Sequence, residues 1–106
     1  MTSFADDFAR AVQRWLELQP EILLQFFGQR HETFRGMVVD VEGAKITFRN
    51  QGTEEERTID FNDAILRPHS FSRRPDAVVC SFAARWEDGS TLECVLTELR
   101  VFGTTN

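Results

Sequence analysis

The sequence contains no tyrosine and a single lysine, Lys45. A reaction that needs a tyrosine acid is therefore excluded, and lysine chemistry is nearly so. No run approaches the roughly 18 apolar residues of a membrane-spanning helix. Phosphate-binding glycine loops of the GxGxxG and P-loop types are missing as well. These absences remove several common enzyme classes and leave binding functions to consider.

Cysteine and histidine are also scarce, with two residues of each. Cys80 and Cys94 lack the clustered partners of a zinc site. In the predicted last hairpin they share a face but lie diagonally, too far apart for a disulfide. We therefore interpret both as small core side chains, and we expect neither a metal nor a cofactor. Reduced thiols and an acidic N-terminal segment unlike a signal peptide predict a cytoplasmic protein with no membrane partner.

Phenylalanine and arginine are the residues that the sequence has in excess. Ten Phe and two Trp stand among 106 residues, and the formal net charge is −5. The length predicts one domain spanning residues 1–106. The negative charge makes nucleic acid an unlikely partner, because phosphates repel an acidic surface. Some of the many rings are expected at the surface, where a homodimer would bury them.

Two helices are predicted at the N-terminal end. Over residues 3–18 apolar residues recur every three or four positions, and Ser3 is suited to cap the first turn. Pro20 suits the first position of a second helix over residues 20–27, and Gly28 suits the residue after its end. The apolar side chains of both helices are predicted to lie in the core.

From residue 32 onward the apolar residues recur every second position, which indicates β-strands. In the last strand the apolar set moves by one position, to Leu99 and Val101, which predicts a β-bulge and a bent strand. The predicted fold class is α+β, with two N-terminal helices packed on a strongly curved antiparallel sheet of about five strands. A small closed β-barrel with an N-terminal helix is the alternative. The predicted strands span residues 33–42, 44–49, 56–61, 77–86 and 91–102.

Residues 62–76 are predicted to form a loop, because they contain Pro68 and Pro75. This loop is the one locally basic segment of an acidic chain. Its guanidinium and imidazole groups suit a phosphate, a carboxylate or an acidic partner, and its ring suits stacking on a base. The plainer alternative is that its arginines pair with the chain's own carboxylates. The predicted ligand- or partner-binding residues are Arg67, His69, Phe71, Arg73 and Arg74.

Catalysis has less support than binding. The sequence shows no nucleophile elbow and no glycine-rich oxyanion segment beside a Ser or Cys. An enzyme would need a deep apolar pocket with a buried aspartate or histidine, and Trp15, Phe82 and Trp86 are its predicted lining. We predict no catalytic residues.

Two family resemblances follow from element order and from short segments. Helices followed by long bent antiparallel strands, with Trp86-Glu87-Asp88-Gly89-Ser90-Thr91 before the last one, resemble the cone-shaped nuclear-transport-factor-2-like superfamily. That resemblance implies an apolar pocket and a small-ligand-binding, isomerase or dehydratase role. The segment Phe34-Arg35-Gly36-Met37-Val38-Val39-Asp40-Val41-Glu42 through Phe48 is similar to the Sm-like RNA-binding barrels, which implies nucleic-acid binding. Neither resemblance assigns a functional residue.

The sequence therefore predicts a small binding or interaction module, homodimeric and without catalytic activity. Its other partner is expected to be a protein or a small molecule. The two alternatives are the ligand-binding or isomerase-like protein with an apolar pocket and the Sm-like nucleic-acid-binding barrel. If the protein binds a single-stranded nucleic acid, the basic residues 67–74 are the predicted contact.

Overall fold

The computed structural model describes residues 3–27, 31–73 and 78–99, with only the backbone described at residues 72 and 73. All neighbouring strands of its sheet are antiparallel, in the order β4-β3-β2-β1-β7-β6-β5. The described residues thus combine an antiparallel sheet with a helix, as predicted, but with one helix instead of two and seven strands instead of five. In chain order the elements are α1 (Phe4–Leu18), β1 (Glu21–Phe27), β2 (Glu32–Glu42), β3 (Lys45–Arg49), β4 (Glu56–Asp60), β5 (Ile65–Arg73), β6 (Val78–Arg85) and β7 (Thr91–Leu99).

Helix α1 forms for the reasons that its sequence indicates. The Ser3 hydroxyl accepts a hydrogen bond from the Asp6 N–H at 3.2 Å and so caps the first turn. The helix ends where Gln19 enters the left-handed region, with φ of 51°, just before Pro20. The first predicted helix is therefore confirmed. Its buried face consists of Phe8, Ala11, Val12 and Trp15.

Phenylalanine rings form the part of the core between α1 and the sheet. Phe4, Phe8 and Phe61 all surround Phe82, with ring centroids 5.5, 5.0 and 5.5 Å from it. Most of the aromatic excess is thus used inside one chain. The exposed large apolar side chains of the described part are Leu18, Phe27 and Ile65.

The sheet curves strongly around this core. The Trp86 indole Nε1, just after β6, donates a hydrogen bond to the Asp60 carbonyl of β4 at 3.2 Å. Four strands lie between β4 and β6, so a flat sheet would separate them by about 24 Å. Bulges at residues 38–40 in β2 and 68–70 in β5 bend the strands. Among the described residues β4 and β5 do not pair with each other, so these strands form an open sheet and not the closed barrel.

The prediction of a second helix over residues 20–27 is wrong, because this segment is strand β1. Its burial alternates, with Ile22, Leu24 and Phe26 buried and the residues between them half-buried. A helix of eight residues has little stability of its own, whereas the strand forms hydrogen bonds on both sides, to β2 and β7. The apolar run fits both periods, and the pairing with two neighbours decides between them.

The prediction of a loop over residues 62–76 is wrong for its central part, which is strand β5. Pro68 is compatible with a strand here because β5 is the last strand of the described sheet, and no other described strand forms ladder bonds with its outer side. Residues 74–76 lie outside the described residues. The five predicted strands correspond to β2, β3, β4, β6 and β7, and the ends of the first four differ by one residue at most.

The bulge predicted near the end of the last strand is not found in the described part of β7. The pairing with β1 continues without a shift as far as Leu99. Glu98 therefore points inward like Cys94 and Leu96, and it is only 6% exposed. Residues 100–102, which complete the predicted strand, lie outside the described residues.

Candidate partner-binding cleft

Two of the predicted binding residues lie on the outer face of the sheet, away from α1. Arg67 pairs with Ala83, which points outward between two buried residues of β6, and Arg67 is exposed. His69 stands at the bulge of β5, where its Nε2 lies 2.9 Å from Glu93 Oε1 in β7. The imidazole is thus engaged by a carboxylate of the same chain.

The third described member of that set points the other way. Phe71 packs against the core, and its ring meets Phe4 edge-on with centroids 6.1 Å apart. The Arg73 side chain and the whole of Arg74 lie outside the described residues. The structure therefore places the described members on two opposite faces of β5 and does not bring them together.

The three predicted pocket-lining residues also lie in different surroundings. Trp15 and Phe82 are fully buried, and the space beside Phe82 is occupied by other phenylalanine rings. Trp86 is half-buried and stacks on Phe61, with ring centroids 6.2 Å apart. Of the three, Trp86 is the one that lies near an open cleft.

A buried carboxylate that the sequence-based prediction missed lies beneath α1. Glu98 Oε1 accepts hydrogen bonds from Trp15 Nε1 at 2.9 Å and Arg14 Nε at 3.1 Å, and Oε2 accepts one from Arg14 Nη2 at 3.1 Å. The hydrogen bond to Glu98 raises the pKa of the Arg14 guanidinium. Both oxygens are held by the chain's own donors, an arrangement suited to fixing α1 on β7.

The two cysteines are core residues, as predicted. Cys80 pairs with Leu96 and Cys94 pairs with Phe82, so the thiols are diagonal neighbours that remain free and buried. Burial raises the pKa of each thiol to about 12, so neither is an activated nucleophile. Within the described ranges no group of three or more His, Cys, Asp or Glu is placed to hold a metal ion.

A wide cleft, here called the β4 cleft, opens between β4 and the turn that joins β6 to β7. Its volume is about 810 Å³. Two of its walls are runs of four consecutive residues, 57–60 and 89–92. Because alternate side chains point to opposite faces of a strand, consecutive lining residues mean that strand edges border the cleft. The lining residues are Phe26, Phe27, Glu32, Arg57, Thr58, Ile59, Asp60, Gly89, Ser90, Thr91 and Leu92.

The hydrogen-bonding phase of β4 follows from two bonds just beyond its ends. The Phe61 N–H donates to the Ala44 carbonyl at 3.0 Å, and the Asn50 N–H donates to the Glu55 carbonyl at 2.8 Å. Both bonds fit the β3–β4 register. Hydrogen-bonded and non-hydrogen-bonded pairs alternate along an antiparallel ladder, so these two bonds set the direction of every backbone group between them.

This alternation directs the Arg57 and Ile59 backbone groups toward β3 and those of Thr58 and Asp60 toward the cleft. The 3.0 Å contact between the Thr47 and Thr58 hydroxyls agrees, because side chains come closest in non-hydrogen-bonded pairs. The Asp60 carbonyl accepts a hydrogen bond from Trp86 and not from β3, which agrees as well. The Thr58 N–H and C=O and the Asp60 N–H have no partner among the described residues.

The floor of the β4 cleft is apolar, and its rim is acidic. Phe27 is 36% exposed, and the half-buried Ile59 and Leu92 also border the space. The Arg57 guanidinium is 3.1 Å from Glu32 and 3.8 Å from Glu55, so two carboxylates offset its charge. Asp60 adds a further carboxylate, which leaves the rim net negative.

A second cavity, here called the helix groove, lies between α1 and the turns that flank β3 and β4. Its volume is about 350 Å³, and Gln13 is the one polar side chain that lines it. The lining residues are Ala5, Phe8, Ala9, Val12, Gln13, Val41, Gly43, Ala44, Ile46, Phe61, Ala64 and Leu66.

Comparisons with protein-family models, with curated proteins and with solved structures find no match. In the described part of the chain, no helix has the length and apolar character needed to cross a membrane.

Proposed function

We propose that the protein is a non-catalytic binding module whose partner occupies the β4 cleft. The observation that carries this proposal is the edge of β4, where the Thr58 and Asp60 backbone groups face an open cleft with an apolar floor. Binding sites are typically concave and largely apolar, with a few convergent polar groups. The β4 cleft has this composition, and its polar groups are held in place by the sheet.

The state of the chain's buried reactive groups favours binding over catalysis. Glu98 is held by three donors, and the thiols of Cys80 and Cys94 stay protonated at neutral pH because their pKa values are raised to about 12. A general acid, base or nucleophile needs a lone pair or proton that a substrate can reach. These three groups are engaged or inert.

The test of this proposal is a matched pair of variants in which tryptophan replaces an exposed strand threonine. Thr91 lines the β4 cleft, whereas Thr33 lies on the outer face of β2. Amide NMR spectra would be followed while indole, benzamidine and short peptides are added. We expect perturbed signals at Phe27, Thr58 and Ser90, absent in Thr91→Trp and retained in Thr33→Trp. The proposal is rejected by an unresponsive cleft or by equal responses in both variants.

Binding of a small apolar ligand in the helix groove is the second candidate function. It corresponds to the alternative of a ligand-binding protein with an apolar pocket. The volume of the groove is within the range of about 300–1,000 Å³ of ligand pockets, and its lining is almost wholly apolar. Calorimetry with decanoic acid tests it. Ala9→Trp fills the groove and should abolish binding, whereas Arg10→Trp, next along the helix but outside the groove lining, should not. No heat of binding by the unaltered protein rejects this candidate.

The homodimer also remains a proposal. Most aromatic rings are buried within one chain, so the aromatic excess no longer supports a dimer. The remaining support comes from exposed apolar side chains such as Phe27 and Ile65, the latter 74% exposed. Sedimentation at micromolar concentration decides: a species of twice the chain mass supports the dimer, and a single monomeric species contradicts it.

A further inference from the structure

We propose that the β4 cleft binds its partner by strand addition, so that an extended peptide pairs with the outer edge of β4 and lengthens the sheet. This inference rests on the proposed binding role and names the class of partner. The favoured peptide alternates apolar and basic residues.

The backbone geometry of β4 supports strand addition. Thr58 directs both its N–H and its C=O into the cleft, which is the arrangement of a residue that exchanges two hydrogen bonds with a neighbouring strand. Asp60, about 6.8 Å further along, contributes its N–H. The Asp60 carbonyl is already bound by the Trp86 indole, so the added strand ends at this point. Backbone bonds of this kind give affinity in strand addition, and side-chain pockets give specificity.

The two faces of β4 determine the side chains that the peptide should carry. Arg57 and Ile59 are half-buried, whereas Glu56, Thr58 and Asp60 are exposed. On an added strand, side chains that point inward would lie beside Ile59 and the apolar floor. Side chains that point outward would lie beside Asp60 and beside Glu56, whose carboxylate Arg49 also contacts. A basic residue there forms favourable cross-strand pairs with these carboxylates. Alternation of apolar and basic residues satisfies both faces.

The strand at the opposite edge of the sheet, β5, has features that block pairing with another strand. In β5, Pro68 has no N–H to donate, and the bulge at His69 interrupts the spacing of the backbone groups. The described part of β4 contains neither a proline nor a register shift. Within the described sheet, β4 is therefore the edge suited to accept a strand.

The experiment uses three fluorescein-labelled peptides of eight residues and the whole protein. The first peptide, the parent, alternates valine and lysine. The second has the same sequence with N-methyl groups on the lysine amides. The third has the same sequence with N-methyl groups on the valine amides. An antiparallel strand faces its neighbour with alternate residues, so one methylated peptide blocks the bonds to Thr58 and the other leaves them intact. We expect one methylated peptide to bind at least tenfold more weakly than the parent in fluorescence anisotropy, and the other to bind within about threefold of it.

Two protein variants provide the matching control. Thr58→Pro removes the N–H that faces the cleft, whereas Thr58→Val keeps it and changes only the side chain. We expect Thr58→Pro to weaken binding of the parent peptide at least tenfold and Thr58→Val to change it by less than threefold. A peptide that alternates valine and glutamate should bind at least tenfold more weakly than the parent. Circular dichroism checks that both variants are folded.

The outcomes separate this inference from the function on which it rests. Equal binding of all three valine–lysine peptides, with binding lost in Thr91→Trp, rejects strand addition and leaves the cleft as a binding site. No binding of any peptide, while indole or benzamidine still perturbs the cleft, also rejects strand addition alone. No response of the cleft to any probe rejects both. Equal binding of the lysine and glutamate peptides rejects the preference for basic residues.

Discussion

The two edge strands of the sheet, β4 and β5, differ in what their outer sides offer to another chain. Thr58 in β4 directs an N–H and a C=O, neither bonded to another described residue, into a cleft of about 810 Å³. In β5 a proline and a bulge interrupt the same kind of edge. Unprotected edges invite pairing with other chains, and proteins usually block them. The protection of one edge alone supports the proposal that the other edge serves binding.

The edges also differ in how their strands are held. β5 is fixed by Phe71, whose ring meets Phe4 of the helix, so its inner side belongs to the core. β4 pairs with β3 on one side, and its far end is tied to β6 by the Trp86–Asp60 hydrogen bond. The comparison shows that two features decide whether another chain can pair with a strand edge: the direction of its backbone N–H and C=O groups, and the presence of a proline or bulge. Burial of the strand matters less.

The largest expected effect tests the backbone phase of β4. Ile59→Pro should lower the free energy of unfolding by about 3 kcal/mol or more, because it removes a ladder hydrogen bond to β3. Thr58→Pro should lower it by less than about 1 kcal/mol, because that N–H faces the cleft. Urea denaturation measures both. Similar losses in the two variants would show that the assigned phase is wrong.

The next effect concerns β7, which pairs with β1 and β6. Glu98→Ala should lower the free energy of unfolding by about 2–3 kcal/mol, because Trp15 and Arg14 lose a charged acceptor. Glu98→Gln keeps one carbonyl acceptor and should lower the free energy of unfolding by less than Glu98→Ala. Thermal or urea unfolding gives the comparison. A glutamine variant as unstable as the alanine variant would contradict the hydrogen-bond account.

The third prediction concerns pH and the half of the sheet that contains β5. In the folded chain the pKa of Cys80 and Cys94 is raised to about 12, from an ordinary value of 9.0. Between these values the unfolded chain releases thiol protons that the folded chain keeps. The stabilisation is thus complete below pH 9 and is lost as pH rises, by up to about 1.4 kcal/mol per pH unit for each thiol.

Urea unfolding at pH 8 and pH 10 measures this loss. The Cys80→Ala, Cys94→Ala double variant is the control, since it lacks both thiols and should show a shallower pH dependence. An unchanged dependence in the double variant would show that other groups cause the loss.

The smallest expected effects compare the charged pairs at the two edges. Arg57→Gln removes the ion pair with Glu32 at the β4 edge, and His69→Gln removes the contact with Glu93 near β5. All four side chains are substantially exposed, so each variant should change the free energy of unfolding by less than about 1 kcal/mol. Denaturant unfolding of both variants checks this. A much larger loss of unfolding free energy at one edge would mean that the two edge strands differ in their charged pairs and not in their backbone phase.

Local sequence signals predicted helix α1, the bounds of β2, β3, β4 and β6 to within one residue, and the core positions of the cysteines. They failed at residues 20–27, where five apolar residues between positions 22 and 27 fit a helix as well as a strand. Only its pairing with β2 and β7, which are distant in sequence, makes it a strand. They also failed at β5, because Pro68 is excluded from central strands but is compatible with an edge, and the position of a strand in the sheet is a tertiary property.

The residues that line the β4 cleft were not predicted from the sequence. Trp86, a predicted pocket-lining residue, is not among them, and it is joined to the cleft through its hydrogen bond to the Asp60 carbonyl. Thr58 carries no chemical signal, because its contribution lies in the direction of its backbone groups. That direction follows from the β3–β4 register, which no single residue encodes. Glu98 was missed because Leu99 and Val101 appeared to continue the apolar set, although the parity of Cys94 and Leu96 already pointed to Glu98.

The hydrogen bond between Trp86 and Asp60 has an optical consequence. The chain has two tryptophans. Trp15 is fully buried, whereas Trp86 is half-buried and bonded to Asp60, a residue that lines the β4 cleft. Emission from the two indoles should therefore differ in wavelength and in quenching by iodide. A Trp15→Phe variant would leave Trp86 as the single tryptophan. Its emission would then report on ligand binding in the β4 cleft.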